Sequence, residues 1–157
     1  MPIIKNKSDE NYDAADLLID NGKLTASIHC LYYGAYQRAM YVMNKSGIGY
    51  EEQKDNYTNY CNDPTVKESK AKKLGSHDFL ITEFVKLMLY KTKDFSLAGN
   101  IKNSFIYLKT CRKKADYENA SISKEDVDDC KKKATFIKNK IDEFIKNNFA
   151  AWILLII

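Results

Sequence analysis

Val127, Cys130, Ala134, Ile137, Ile141 and Phe144 recur at intervals of three and four residues. With about 3.6 residues per turn, that spacing puts all six side chains on one side of an α-helix. Such a stripe holds a helix in water only when something apolar covers it. Ser123 and Asp126 precede it with the separation of a capping box, Asp standing where Glu is usual. The same period governs Leu24, Ile28, Leu31, Ala35, Ala39 and Val42, then Leu80, Phe84, Leu87 and Met88, then Ile101, Phe105, Leu108 and Cys111. Two prolines and six glycines in 157 residues leave these stretches uninterrupted, and no alternating run bounded by turn residues suggests a strand. The expectation is an all-α chain, an up-and-down bundle of four to five helices forming a single domain over residues 1–157.

The first helix is expected over residues 8–21, with Ser8 as N-cap and Gly22 after its end. Ala14, Leu17 and Leu18 form its inner face, with Tyr12 at the edge. The second, residues 24–43, carries Tyr32, Tyr33, Tyr36, Met40 and Tyr41 beside its stripe and is apolar over so much of its circumference that it belongs in the middle. Residues 44–74 form an irregular insertion, relieved by a short lysine-rich helix over 64–74 that Asp63-Pro64 opens. Ser76 caps a third main helix to Thr92, and a fourth runs from Phe95 to Tyr117 before the capped stripe.

Charge is uneven. Residues 101–157 hold 12 basic and 8 acidic side chains, whereas residues 1–100 hold 13 of each. A local basic surface attracts phosphates, although a solvated lysine-rich helix face gives the same count. Cys30, Cys61, Cys111 and Cys130 show no CxxC pair, so the expectation is a reducing, cytoplasmic setting without metal or cofactor. The apolar end, residues 149–157, is nine residues long, against about 20 for a membrane span. It is expected to pack on the core or on a second subunit rather than in a membrane.

Glycine-rich phosphate loops, nucleophile elbows and HExxH are missing from the sequence. Three clusters carry the candidate chemistry. In the second helix, His29 and Tyr33 are four apart and share a face, with Gly34 and Ala35 small enough for a close neighbour. At the start of the third, His77 sits among unpaired amides, where a positive imidazole is disfavoured and an anion is welcome. Near the end of the fourth lie Arg112, Lys113, Lys114, Asp116 and Tyr117, where Arg112 and Asp116 form an i,i+4 pair whose simplest reading is a surface ion pair.

In this order, Ser27…Leu31-Tyr32-Tyr33-Gly34-Ala35, then Ser76-His77-Asp78-Phe79-Leu80, then Arg112-Lys113-Lys114-Ala115-Asp116-Tyr117, the chain resembles the small stand-alone bacterial members of the HEPN family. The resemblance covers residues 8–146. It implies a HEPN-like helical bundle that binds RNA or a nucleotide as a homodimer, in a toxin–antitoxin or phage-defence system with a nucleotidyltransferase as partner. Arg112, Lys113 and Lys114 would contact phosphate, and Tyr33 or Tyr117 would stack on a base, beside Asp116. His29 or Arg38 would stand in for the family's basic residue near the tyrosine pair. The family's ribonucleases place a histidine shortly after the arginine, and none follows Arg112 here. A metal-independent ribonuclease would therefore use Arg112 with His77 as its catalytic pair. The remaining alternative is a protein-interaction dimer with no nucleic-acid role.

Overall fold

The computed structural model describes residues 2–69, 73–118 and 121–149. Among them seven helices follow one another: α1 (Pro2–Asp20), α2 (Leu24–Lys45), α3 (Tyr50–Asn62), α4 (Pro64–Glu68), α5 (Ser76–Thr92), α6 (Phe95–Tyr117) and α7 (Lys124–Phe149). The described residues contain no strand, and the chain is all-α. α2 packs against α1, α5, α6 and α7 together, the central position its apolar circumference demands. Ile28, Leu31, Ala35, Ala39 and Val42 are fully or almost fully buried along it.

α7 buries all six residues of its stripe. Its capping box closes in both directions: the Asp126 amide donates to Ser123 Oγ, and the Ser123 amide donates to Asp126 Oδ2, each at 3.0 Å. Asp94 caps α6 by accepting from the Leu97 amide at 2.8 Å. α5 departs from expectation by one residue, since Gly75 occupies the cap position and Ser76 is already helical.

α1 corrects the sequence reading more seriously. It opens at Pro2, and Ser8 is a buried residue inside it whose hydroxyl donates to the Gly34 carbonyl at 2.7 Å. Tyr12 and Ala15 face inward, while Leu17 is 66% exposed. The physical reason is closeness. A Cβ on Gly34 would stand 3.1 Å from the Tyr12 ring and 3.4 Å from the Ser8 carbonyl oxygen, so α1 meets α2 through small and flat surfaces. Tyr12 then reaches across to α7, donating to the Ala134 carbonyl at 2.9 Å, which satisfies a phenol that is otherwise buried.

Residues 44–62 are not wholly irregular. Gly47, at φ +84°, ends the turn after α2, and α3 follows with Glu51 and Glu52 complementing the positive end of its dipole. α4 stops at Glu68, with Asp63 Oδ1 accepting from the Thr65 amide at 2.8 Å and Pro64 in the first turn. Neither helix has a buried residue. Tyr57 and Tyr60 of α3 lie on Phe79 of α5, with ring centroids 5.5 and 5.0 Å away.

Arg38 is the largest fully buried side chain. It pairs with Asp9 of α1, donating through Nη2, and its Nε lies 3.5 Å from Asp142 of α7, so one guanidinium joins three helices. Its Nε and Nη1 make no hydrogen bond among the described residues.

No helix among the described residues is long and apolar enough to cross a membrane. Phe149 ends α7 with its ring against Phe144, and the rest of the apolar end, residues 150–157, lies outside the described residues.

Candidate functional site

Three helices bring the separated clusters to one place. α2 contributes His29, Tyr32, Tyr33 and Tyr36. The first turn of α5 contributes His77 and Asp78, and α6 contributes Lys109, Arg112, Asp116 and Tyr117. Tyr32 is the hub. Its hydroxyl is 2.8 Å from His77 Nδ1, and the Arg112 guanidinium carbon stands 5.9 Å from its ring centroid. The same guanidinium lies 5.6 Å from the Tyr33 ring and 5.3 Å from the Tyr117 ring, all within cation–π range. His77 packs edge-on to Tyr33 at 5.9 Å and stacks on Tyr36 at 4.3 Å. Arg112 and His77, separated by most of two helices in sequence, thus rest on the same two tyrosines.

The carboxylates at the site are engaged. Asp116 Oδ2 is 2.5 Å from Arg112 Nε, off the line of that N–H, and 3.3 Å from His29 Nδ1. Asp78 pairs with Lys109. Arg112 also donates from Nη2 to the Tyr117 hydroxyl at 3.2 Å. No hydrogen bond from its Nη1 is seen among the described residues, so one arm of the guanidinium has a donor left to offer.

His77 is held below its ordinary value of 6.5 by burial first, then by the charges of Lys109 and Arg112. The direction is the one expected from sequence, with burial and two neighbouring cations adding to the helix terminus considered there. Burial also pushes the Tyr32 phenol up, so it keeps its proton. The buried phenol needs an acceptor for its proton, and His77 Nδ1 at 2.8 Å offers one; the expected tautomer of a neutral His77 therefore carries its hydrogen on Nε2. Replacing Tyr32 by Phe removes a bond to the neutral ring, so the His77 pKa should rise towards 6.5. Nitrogen NMR of the imidazole at neutral pH should show the Nε2–H tautomer in the parent protein; an Nδ1–H tautomer would overturn this assignment.

Lys113 and Lys114 stand apart from the cluster. Lys113 is exposed, and Lys114 lies 3.8 Å from Asp126 at the start of α7. Elsewhere in the basic C-terminal third, Lys131 pairs with Asp16, Lys132 with Asp129 and Lys140 with Glu143, as solvated surface ion pairs do. Arg38 cannot stand in for a basic residue at the tyrosine pair, because Asp9 and Asp142 hold it. His29 does reach the site, with its ring 4.6 Å from Tyr33. Tyr32 and Tyr36, noted in the sequence beside the α2 stripe, belong to the cluster, and Lys109 completes it without having been singled out from sequence. Lys109 precedes Arg112 by three residues, a spacing that shares a helix face and could have marked it. Among the described residues no group of three or more His, Cys, Asp or Glu is arranged to hold a metal ion.

No protein-family model matches the chain, and no curated protein or solved structure gives a significant match.

Proposed function

We propose that the chain is a HEPN-type module that binds RNA or a nucleotide through the Arg112–His77 cluster. The observation that carries this reading is the meeting of Arg112 and His77 on the Tyr32–Tyr33 pair, with Lys109 alongside. A guanidinium arm, an imidazole N–H and an ammonium are the donors that phosphate oxygens accept, and exposed Tyr117 offers a face for a base. The five long helices, four of them arranged around α2, are in keeping with a HEPN-like bundle. In the same proposal the protein acts in the cytoplasm as a homodimer, alongside a nucleotidyltransferase in a toxin–antitoxin or defence system.

Because Asp116 and Asp78 already neutralise the two cations, the attraction for polyanions is local and modest. Two phosphate contacts give a slope of about −1.4 in log K against log salt on single-stranded RNA, and Arg112→Ala should halve it. The same change should weaken binding by about tenfold or more, as loss of a charged hydrogen bond does. Fluorescence anisotropy with a labelled oligoribonucleotide over a salt series measures both; binding that ignores salt and Arg112 would remove this function.

A second reading, metal-independent RNA cleavage, draws on the same meeting of Arg112 and His77. A general base needs a free ring lone pair, and the bond from Tyr32 occupies the one on Nδ1 while the proton occupies Nε2. His77 is thereby set to donate a hydrogen bond from Nε2 rather than to take up a proton, which favours binding over cleavage. Incubation of RNA in EDTA distinguishes the two: cleavage that disappears in His77→Ala would restore the enzymatic reading.

A further inference from the structure

A cavity of about 390 Å³ lies between α2, α3 and the start of α5, within the range of about 300–1,000 Å³ typical of small-molecule sites. Met40, Met43, Ile48 and Leu80 give it apolar walls, Asn56 and Ser76 line it with polar side chains that have no partner among the described residues, and Lys54 and Glu83, paired with Glu51 and Lys86, line it too. Tyr36 and His77, stacked on each other, line it as well. His77 is therefore shared: its ring borders the cavity, while its Nδ1 is tied to Tyr32 beneath Arg112. Arg112 and Lys109 do not line the cavity. An apolar compartment with a few hydrogen-bonding edges thus stands one imidazole away from a pair of cations.

We propose that this cavity holds the base of one nucleotide while Arg112 and Lys109 hold its phosphate. A nucleobase is flat and apolar on its faces and hydrogen-bonds at its edges, which suits thioether and aliphatic walls interrupted by an amide and a hydroxyl. The link from base through sugar to a charged phosphate mirrors the order of cavity, His77 and cations. The nucleotide is either free or an unpaired residue of an RNA strand, since both present this chemistry. The inference rests on the nucleic-acid reading of the Arg112 cluster and adds to it a dedicated site for the base.

The test compares a short single-stranded oligoribonucleotide with an abasic oligomer of the same length, by fluorescence anisotropy, on the parent protein and on Met40→Trp, which fills the cavity. The parent should prefer the base-containing oligomer by about tenfold, as stacking a single base does, and Met40→Trp should bind both at the abasic level. Should Met40→Trp fail to fold by circular dichroism, Ser76→Leu obstructs the cavity from an exposed position. Equal binding of the two oligomers by the parent, with Arg112→Ala still weakening both, overturns the base site and leaves the phosphate site standing. A folded Met40→Trp that retains the parent's preference overturns it too. No binding of either oligomer or of a 5′-mononucleotide overturns both readings. Displacement of the oligomer by the mononucleotide at comparable concentration identifies the free nucleotide as the ligand, and failure to displace identifies the strand.

Discussion

Asp9→Asn together with Asp142→Asn should lower the stability of the protein by about 3–5 kcal/mol, the usual result of leaving a buried charge without its partners. In a chain of this length that corresponds to a fall of roughly 10 °C in Tm. Arg38 is 1% exposed, and its Nε and Nη1 already lack hydrogen bonds, so it has no spare compensation when the carboxylates go. Arg38→Met should behave quite differently. It removes the charge and keeps the volume, and the two carboxylates it frees are 35% and 43% exposed and can be hydrated. Stability within about 1 kcal/mol of the parent is expected for it, and it should recover most of the loss when combined with the double Asn variant. Acid should imitate the Asn substitutions in part. Burial raises the Asp9 pKa, but the bond from Lys5 and the charge of Arg38 outweigh it and hold Asp9 below its ordinary 3.8. Its contribution is therefore complete above pH 3.8 and is lost as the pH falls through the lower native value. Urea titrations of the four proteins at pH 7 decide the matter: a double Asn variant as stable as the parent would mean that Arg38 does not depend on its carboxylates.

Gly34→Val is the second large effect, with an expected loss of about 2–3 kcal/mol. Valine brings a Cβ to 3.1 Å from the Tyr12 ring and adds two methyl groups beyond it. The ring cannot swing away freely, because Tyr12 is buried and its hydroxyl is bonded to Ala134 on α7. Better helix propensity returns only a few tenths of a kcal/mol. Gly34→Ala makes the closest contact alone and recovers up to about 1 kcal/mol of propensity, so it should lie close to the parent. Thermal melts of the two variants should separate them clearly, and a Gly34→Val protein melting with the parent would contradict the close approach of α1 and α2.

These two positions also show what the sequence could and could not convey. The stripes of α2 and α7 were legible because burial on one face imposes its own period, and the capping box before α7 was legible because its two bonds need that separation. The inner face of α1 was misread because Leu17 and Leu18 outweighed Tyr12 and Ala15 on hydrophobicity, whereas a steric contact with Gly34 decides the packing. α3 left no stripe to find. It buries nothing and is held by its polar first turn and by rings lying on Phe79. The cavity was hidden with it, since α3 supplies one of the walls. At the site, Arg112, His77, Tyr33 and Asp116 were identifiable one by one from local spacing. Their convergence was not, because it depends on how α5 and α6 dock on α2. Lys113 and Lys114 looked equivalent to Arg112 in sequence and differ only in which way a turn of helix points them.

The central placement of α2 has a thermodynamic consequence for anything that binds beside it. Tyr33 projects from a rod gripped on several sides and packs edge-on against Tyr32, which is fully buried behind it. Their rotational freedom was surrendered when the chain folded, so an incoming molecule meets a surface that has little left to lose. Selectivity at such a surface comes from shape and charge already in place, and association should proceed with scant rearrangement of the backbone.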